Sequence, residues 1–150
     1  MAKQARRTNI EDGDSSPAGD LYAVTLSGDP AQVPKVRHGI REFAVRSGFA
    51  ERASDLALVL DELLANAMEH GRTPVAVRSW HDGRLVMTVA DSGDGFDFAS
   101  VVRSHPPVML GRRGRGLWIV RQVADHVEVE SGPAGTRIRV ELTHEPHIGA

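Results

Sequence analysis

Three polar side chains recur at steps of four in one short stretch, DELLANAMEHGR, which runs from residue 61 to residue 72. On an α-helix, Glu62, Asn66 and His70 would form a ridge, because residues four apart lie one above the other. The ridge follows the flank of an apolar stripe, which consists of Leu56, Leu60, Leu63 and Ala67. A Glu and an Asn within reach of each other at such an edge can hold a hydrated Mg²⁺ and orient a nucleophile.

The same ridge has a simpler explanation, since a Glu and an Asn on the polar side of an amphipathic helix are usually only solvated. The stretch by itself leaves both interpretations open. Gly71 follows the ridge directly, and a glycine at this place is typical of a residue that ends a helix by capping its C-terminus. For His70 we expect a structural role.

A second candidate for chemistry is DSGDGFD, from Asp91 to Asp97, which has the form Asp-x-Gly-x-Gly and directly follows a predicted strand. Gly93 and Gly95 would let the backbone approach a flat ligand closely. A carboxylate at the end of the strand can accept a hydrogen bond from an exocyclic amine. The alternative is an ordinary Gly/Asp turn between a strand and a loop.

A third candidate is GRRGRGLWIV, from Gly111 to Val120, which predicts a glycine-rich loop that leads into a helix. Such a loop presents free backbone N–H groups and the positive end of the helix dipole, which suit phosphate, and its arginines add positive charge. It matches neither the Walker A form nor the dinucleotide fingerprint. A last glycine stretch, GTRI from Gly135 to Ile138, would on its own be a hairpin turn.

The hydrophobic pattern predicts the elements that position the first of these motifs. DLYAVTLSG alternates apolar and polar residues, which indicates a strand. Asp29-Pro30 is a start signal for a helix, although Pro34 could mark its first turn instead. This helix would end at Gly48 as its C-cap. A second helix is predicted to begin with Ser54 as its N-cap and with Asp55 in its first turn.

The second half of the chain predicts two hairpins that are separated by a long loop and a helix. TPVAVRSW and RLVMTVAD are joined by the turn signal HDG, and HVEVES and GTRIRVELT are joined across GPAG. The loop after Asp91 is expected to continue until the third helix starts at Gly116. In the second hairpin, complementary charges would face outward, namely those of Glu128, Glu130, Arg137 and Arg139.

The predicted order is therefore β-α-α-β-β-loop-α-β-β. Two hairpins imply a largely antiparallel sheet, and the helices should cover one of its faces. This is an α+β, two-layer α/β sandwich. We expect a disordered polar tail at residues 1–19, one domain at residues 20–143 and a short polar tail at residues 144–150.

Composition narrows the class of protein. The chain has 150 residues, a net charge of -2 and no cysteine. The length suits one domain, and the charge gives no large basic field, so direct nucleic-acid binding is not expected. The absence of cysteine fits a reducing cytosol. Neither a secretory signal nor a membrane-spanning apolar run is evident, so a cytoplasmic protein without membrane association is expected.

The order and spacing of the motifs resemble those of the GHKL (histidine-kinase-like) ATPase superfamily. DELLANAMEHG looks like its N box, DSGDGFD like its first glycine box and GRGLWIVRQVAD like its second. The short chain, with NAMEHG and GRGLWIV, is similar to the anti-sigma-factor serine/threonine kinase subgroup. The resemblance covers roughly residues 20 to 143 and implies the Bergerat-type ATP-binding fold.

The resemblance also implies roles for individual residues, with ATP or ADP and Mg²⁺ as the cofactors. Glu62 would be the general base, and Asn66 would coordinate Mg²⁺. Asp91 would bind the adenine amino group, with Gly95 beneath the base and Thr136 assisting, while Gly93 would shape the loop. Residues 97–113 would form a lid over ATP. The nucleotide site would be completed around the triphosphate by Arg113, Gly114, Arg115, Gly116 and Leu117.

The implied activity is that of a serine/threonine protein kinase that is also an anti-sigma factor. It would phosphorylate a STAS-type anti-anti-sigma protein and sequester a sigma factor, and a homodimer is expected from the resemblance alone. The alternative is a non-catalytic ATP-binding adaptor whose lid gates the binding of partners.

Overall fold

The computed structural model describes residues 19–93 and 111–144, and of residues 111–115 it describes only the backbone. Most of the two predicted tails therefore lies outside the described residues. The same is true of Gly95 and of most of the predicted lid. No helix in the described ranges combines the length and the apolar character needed to cross a membrane.

The described residues form five strands and three α-helices in the predicted order. These are β1 (Leu21–Leu26), α1 (Gln32–Arg46), α2 (Ala53–His70), β2 (Val75–His81), β3 (Leu85–Ala90), α3 (Gly111–Val123), β4 (His126–Gly132) and β5 (Gly135–Leu142). Neighbouring strands are all antiparallel, and the order across the sheet is β1-β2-β3-β5-β4. The predicted two-layer sandwich is thus confirmed.

One face of the sheet carries the core. Val77 lies opposite Val89, and Val89 lies opposite Ile138, so a row of apolar side chains crosses the central strands. The three helices pack their apolar stripes on this face and form one buried cluster with it. Because side chains alternate along a strand, the intervening residues lie on the other face, which we call the helix-free face.

The helix-free face is covered by charged side chains. Trp80 lies there and is only 2% exposed, because the guanidinium groups of Arg78 and Arg139 lie 5.5 and 5.6 Å from the centre of its ring. Glu130 lies opposite Arg137, as the second hairpin predicted, and accepts a hydrogen bond of 3.1 Å from its Nη1. Cation–π and ion-pair contacts therefore shield the side of the sheet that the helices leave open.

The end of α1 confirms one predicted cap. Gly48 has a φ of +89°, which is costly for any residue with a side chain. Its N–H donates to the carbonyl of Val45, and the next N–H, of Phe49, donates to the carbonyl of Ala44. These two bonds form a Schellman motif, which turns the chain away from the helix.

The start of α2 differs from the prediction. Ser54 is not the N-cap, because a 3₁₀ turn at Ala50–Arg52 already leads into the helix, which begins at Ala53. Ser54 lies inside the first turn, where its Oγ accepts a weak hydrogen bond of 3.4 Å from Arg41. Asp55 does lie in the first turn, as predicted.

The third helix also begins earlier than predicted. α3 starts at Gly111 rather than at Gly116, so the GRRGRG stretch is helical and not a loop. Arginine is a strong helix former, and each interior glycine costs only about 1 kcal/mol relative to alanine, which packing against the rest of the fold can offset. The free N–H groups of this helix therefore lie at Gly111 and the residues just after it.

A buried arginine that the sequence did not single out connects three elements. Arg52 is 0% exposed. Its guanidinium donates to Asp55 at the start of α2 and to Asp125 after the end of α3. It also donates to the backbone carbonyls of Val123, at the end of α3, and of Thr143, just beyond β5. A buried guanidinium is stable only when it is paired in this way.

We expect Arg52→Ala to lower the free energy of unfolding by about 3–5 kcal/mol, because it removes the charged partner of Asp125 and the side-chain donor to two carbonyls. Urea denaturation followed by circular dichroism measures this. Arg46→Ala is the control, since Arg46 pairs with Asp20 at the surface and should contribute less than about 1 kcal/mol. Equal losses in the two variants would contradict the structural role of Arg52.

Acid should weaken the same cluster through Asp125. Burial raises the pKa of Asp125, but hydrogen bonds from Thr143 and Arg52 outweigh burial and hold the pKa below its ordinary value. A carboxylate with a lowered pKa stabilises the fold above its unfolded pKa of about 3.9, and this contribution is lost as the pH falls further. Asp125→Asn should therefore be less stable than the wild type at pH 7, and the difference should shrink below about pH 4. A difference that stays constant in urea titrations from pH 7 to pH 3 would refute this.

Candidate functional site

The predicted ridge lies in the middle of α2, and its residues Glu62 and Asn66 have no partner among the residues that the structure describes. Asn66 is only 7% exposed, and Glu62 is half-buried. Neither side chain hydrogen-bonds to any residue that the structure describes, whereas the adjacent Asp61 is paired with Arg37 at 3.0 Å. A nearly buried residue whose amide has no partner among the described residues, one turn from a carboxylate, suits a ligand.

Gly116 of α3 lies directly over Glu62. A Cβ built on Gly116 would lie 2.5 Å from the Glu62 carboxylate oxygen Oε1, so any side chain there would displace this carboxylate. The second glycine box and the N box therefore meet at this point, as the resemblance implies. Leu117, the next residue, is 1% exposed and packs into the core, so only its backbone faces the site.

The arginines of the second glycine box lie in the first turns of α3. Arg113, Gly114 and Arg115 belong to this helix, and the structure describes only their backbone. Since the helix begins at Gly111, the unpaired N–H groups at its positive dipole end extend to Arg113, the first of the three residues. The implied contacts with a triphosphate stay a prediction for these residues.

Asp91 is held rigidly at the end of β3. Its Oδ1 accepts hydrogen bonds from the backbone N–H groups of Gly93, at 2.8 Å, and Thr136, at 3.3 Å. Its own N–H donates to the Thr136 carbonyl at 2.9 Å. Its Oδ2 accepts no hydrogen bond from the described residues. One carboxylate oxygen is thus used for positioning, and the other can accept a hydrogen bond from a ligand.

Thr136 supports Asp91 through its backbone. Its side-chain hydroxyl shares a hydrogen bond of 2.8 Å with the Ser131 hydroxyl across the β4–β5 hairpin, and the residue is buried. Thr136 therefore contacts Asp91 through its N–H and C=O groups, and its assistance in adenine binding stays a prediction.

Three glycines from different parts of the chain surround Asp91. A Cβ on Gly71 would lie 2.6 Å from both carboxylate oxygens, and one on Gly135 would collide with the Asp91 carbonyl. A Cβ on Gly93 would lie 2.6 Å from the Cα of Gly71. The end of α2, the loop after β3 and the start of β5 therefore meet at Asp91 more closely than side chains would allow.

Gly71 is the C-cap of α2, as predicted, but it lacks the left-handed conformation that usually favours glycine at the end of a helix. It directly follows α2, and its N–H donates to Ala67, but its φ is -98° and its backbone is extended rather than left-handed. Any residue can adopt this conformation, so helix ending does not require glycine here. The glycine is needed because Asp91 packs on its Cα. Local sequence could not reveal this contact, which joins residues twenty positions apart.

The described residues fit a magnesium site that is only partly made of protein. They contain no group of three or more His, Asp or Glu side chains that could hold a metal ion. The Asn66 oxygen, which pairs with no described residue, would provide one ligand of the kind that Mg²⁺ prefers. This suits an ion that keeps several waters and takes its other ligands from substrate phosphates.

A cavity of about 770 Å³ reaches Asp91 and Thr136 from the helix-free face, between Arg78 and the β4–β5 turn. Glu62 and Asn66 do not line this cavity. It therefore does not connect the ridge on α2 with the carboxylate of Asp91.

The fold and this site define an ATPase domain of the histidine-kinase type. Residues 26–142 match the family of histidine kinase-like ATPase domains, and the chain belongs to this family. Among its relatives, the serine-protein kinase RsbW of Bacillus velezensis is 29% identical over 131 residues, which cover 78% of this chain and 82% of the relative. RsbW of Bacillus subtilis is 27% identical over 127 residues, which cover 75% and 79%. The resemblance found in the sequence is thereby confirmed.

Solved structures show the same fold. The RsbU and RsbW domains of Rv1364c from Mycobacterium tuberculosis superpose with a TM-score of 0.63 at 19% identity. That match covers 83% of this chain and 32% of the other, so this chain spans about a third of that protein. A histidine kinase domain from Erythrobacter litoralis gives a TM-score of 0.50 at 22% identity, covering 89% and 72%.

We expect Asp91→Asn to weaken ATP binding by about 1–3 kcal/mol, because its amide nitrogen would face the adenine amino group in place of Oδ2. The same change should improve the binding of inosine triphosphate, which carries a carbonyl there. Titration calorimetry measures both affinities. Ser92→Ala is the control, since Ser92 is exposed beside Asp91. Equal ATP affinity in Asp91→Asn and the wild type would reject the assignment.

Proposed function

We propose that the protein is an ATP-dependent serine/threonine protein kinase and an anti-sigma factor. The observation that carries this proposal is the pair Glu62 and Asn66, two oxygen-bearing side chains one helical turn apart that pair with no described residue. The similarity to RsbW serine-protein kinases supports the same reading. The substrate would be a STAS-type anti-anti-sigma protein, and a sigma factor would be the partner held inactive, with a homodimer as the working form.

Each residue of the site would have one task. The Oδ2 atom of Asp91 would accept a hydrogen bond from the adenine amino group while Oδ1 stays on Gly93 and Thr136. The Asn66 oxygen would bind Mg²⁺, whose charge would offset that of the phosphates. The backbone of α3 near Gly114 and Gly116 would lie against the triphosphate, at the positive end of the helix.

Transfer would be a single displacement. The hydroxyl oxygen of the partner's serine or threonine would form a bond to the γ-phosphorus, while the bond from that phosphorus to the β–γ bridging oxygen breaks. The Glu62 carboxylate would accept the hydroxyl proton, and ADP would leave. Since the partner brings the hydroxyl, this chain needs no substrate pocket other than the nucleotide site.

Two substitutions on the ridge separate binding from catalysis. Glu62→Gln keeps the shape that fits under Gly116 but cannot take a proton, so it should leave ATP affinity within a few-fold and slow transfer by roughly 10²–10⁴-fold. Asn66→Ala should weaken Mg²⁺-dependent ATP binding and abolish transfer together. Phosphate incorporation into a purified STAS partner and an ATP titration on the same samples measure both effects.

Asp61→Asn is the matched control, because it makes the same chemical change one residue away on a side chain that pairs with Arg37. It should phosphorylate the partner at nearly the wild-type rate. Phosphoryl transfer by Glu62→Gln at the wild-type rate would contradict the catalytic role of Glu62. The wild type could instead form no phosphoprotein while its affinity for the partner depends on ATP. That result would identify the protein as a non-catalytic ATP-binding adaptor.

A further inference from the structure

We propose that Gly71 is a positioning residue for nucleotide recognition: it fixes the Asp91 carboxylate so that Oδ2 points at the adenine amino group. The inference rests on the proposed role of Asp91 as the adenine acceptor. It adds a residue at the end of α2 that touches neither the base nor the phosphates and acts only through Asp91.

The first argument is that the backbone of Gly71 does not call for glycine. Its φ of -98° is open to every residue, unlike that of Gly48 or Gly135, whose φ values are positive. What a side chain at Gly71 would meet is the carboxylate of Asp91, with both oxygens at 2.6 Å from an ideal Cβ. Glycine is therefore required at this position because a side chain would collide with Asp91.

The second argument is that the two segments cannot move apart to relieve such a contact. The Ser92 N–H donates to the Arg72 carbonyl at 2.8 Å, so the residues after Gly71 and after Asp91 are joined through their backbones. On the other side, the Asp91 N–H is bonded to the Thr136 carbonyl. Asp91 is thus held between α2 and β5, and only its side chain is left to turn.

Turning the side chain would disturb recognition directly. A methyl group on residue 71 would rotate the carboxylate away, which breaks the bonds from Gly93 and Thr136 to Oδ1 and moves Oδ2 as well. The hydrogen bond to an exocyclic amine depends on the direction of the acceptor as much as on its distance. Gly71 therefore influences which nucleotide base is bound, because it determines the orientation of the Asp91 carboxylate.

The experiment compares the binding of two ligands to Gly71→Ala and to the wild type. The ligands are ATP and purine riboside triphosphate, which carries hydrogen in place of the 6-amino group. Titration calorimetry on the full chain with Mg²⁺ gives both Kd values. We expect Gly71→Ala to weaken ATP binding by at least about tenfold, as for the loss of one charge-assisted hydrogen bond, and to leave the analogue nearly unaffected.

Gly132→Ala is the matched control. A Cβ on Gly132 meets no atom within 4 Å, and its φ is not positive, so the same methyl group is added in open space. This variant should bind both ligands as the wild type does. A Gly71→Ala protein with wild-type ATP affinity, or one that loses both ligands equally, would overturn the inference.

A second comparison, made in the Asp91→Ala variant, separates the contact between residues 71 and 91 from a general effect on folding. Asp91→Ala removes the three atoms that lie nearest to a Cβ on Gly71, all of which belong to the carboxylate. Adding Gly71→Ala to it should cost no further ATP affinity and no thermal stability, since coupled residues are not additive. If Gly71→Ala alone is unfolded, a double variant as stable as Asp91→Ala supports the inference, and an unfolded double variant overturns it.

The two proposals fail in different ways. A wild type that binds ATP no better than purine riboside triphosphate would remove Asp91 as the adenine acceptor, and the inference about Gly71 with it. A wild type that prefers ATP by about tenfold, while Gly71→Ala retains that preference, removes only the inference about Gly71.

Discussion

The buried guanidinium of Arg52 is the interaction on which the arrangement of the helices depends. It lies where α2 begins, and its partners belong to the turn after α3 and to the end of β5. A charge without access to water cannot be left unpaired, so these partners must all be present at once. The first turn of α2 is thereby fixed relative to the last turn of α3 and to the sheet.

The other end of α2 is fixed by contact rather than by charge. Gly71 lies against Asp91, and the backbone bond from Ser92 to Arg72 holds the two segments together. A helix that is held at both ends has little freedom in its middle turns, where Glu62 and Asn66 lie. The close approach of Gly116 then leaves the Glu62 carboxylate little room to move toward α3. Preorganised groups of this kind are what phosphoryl transfer requires.

The sequence predicted what depends on local periodicity. The alternation of apolar and polar residues predicted the strands of the two hairpins and the charge pairing of Glu130 with Arg137. The four-residue spacing placed Glu62 and Asn66 on one flank of α2. The positive φ of Gly48 followed from helix-ending chemistry. These features depend on residues that are neighbours along the chain or across one turn.

The predictions that were wrong depend on distant residues. Ser54 was expected to cap α2, but the chain already turns at Ala50 because Arg52 is drawn into the interior. Gly71 does lie at the C-cap of the same helix, as predicted, but glycine is required there by the contact with Asp91. α3 begins at Gly111 although its glycines suggested a loop. In each case a tertiary contact or helix packing outweighs the local signal.

The shielding of Trp80 by Arg78 and Arg139 has a consequence for the fluorescence of the protein. The chain has two tryptophans, and Trp80 is shielded on the helix-free face, whereas Trp118 is half-buried on α3, two residues after Gly116. Emission from Trp80 should therefore be blue-shifted and should follow the integrity of the sheet. Emission from Trp118 should follow the helix that lies over Glu62. With Trp118→Phe to separate the two signals, the native fluorescence of the chain can distinguish movement of α3 from unfolding of the domain.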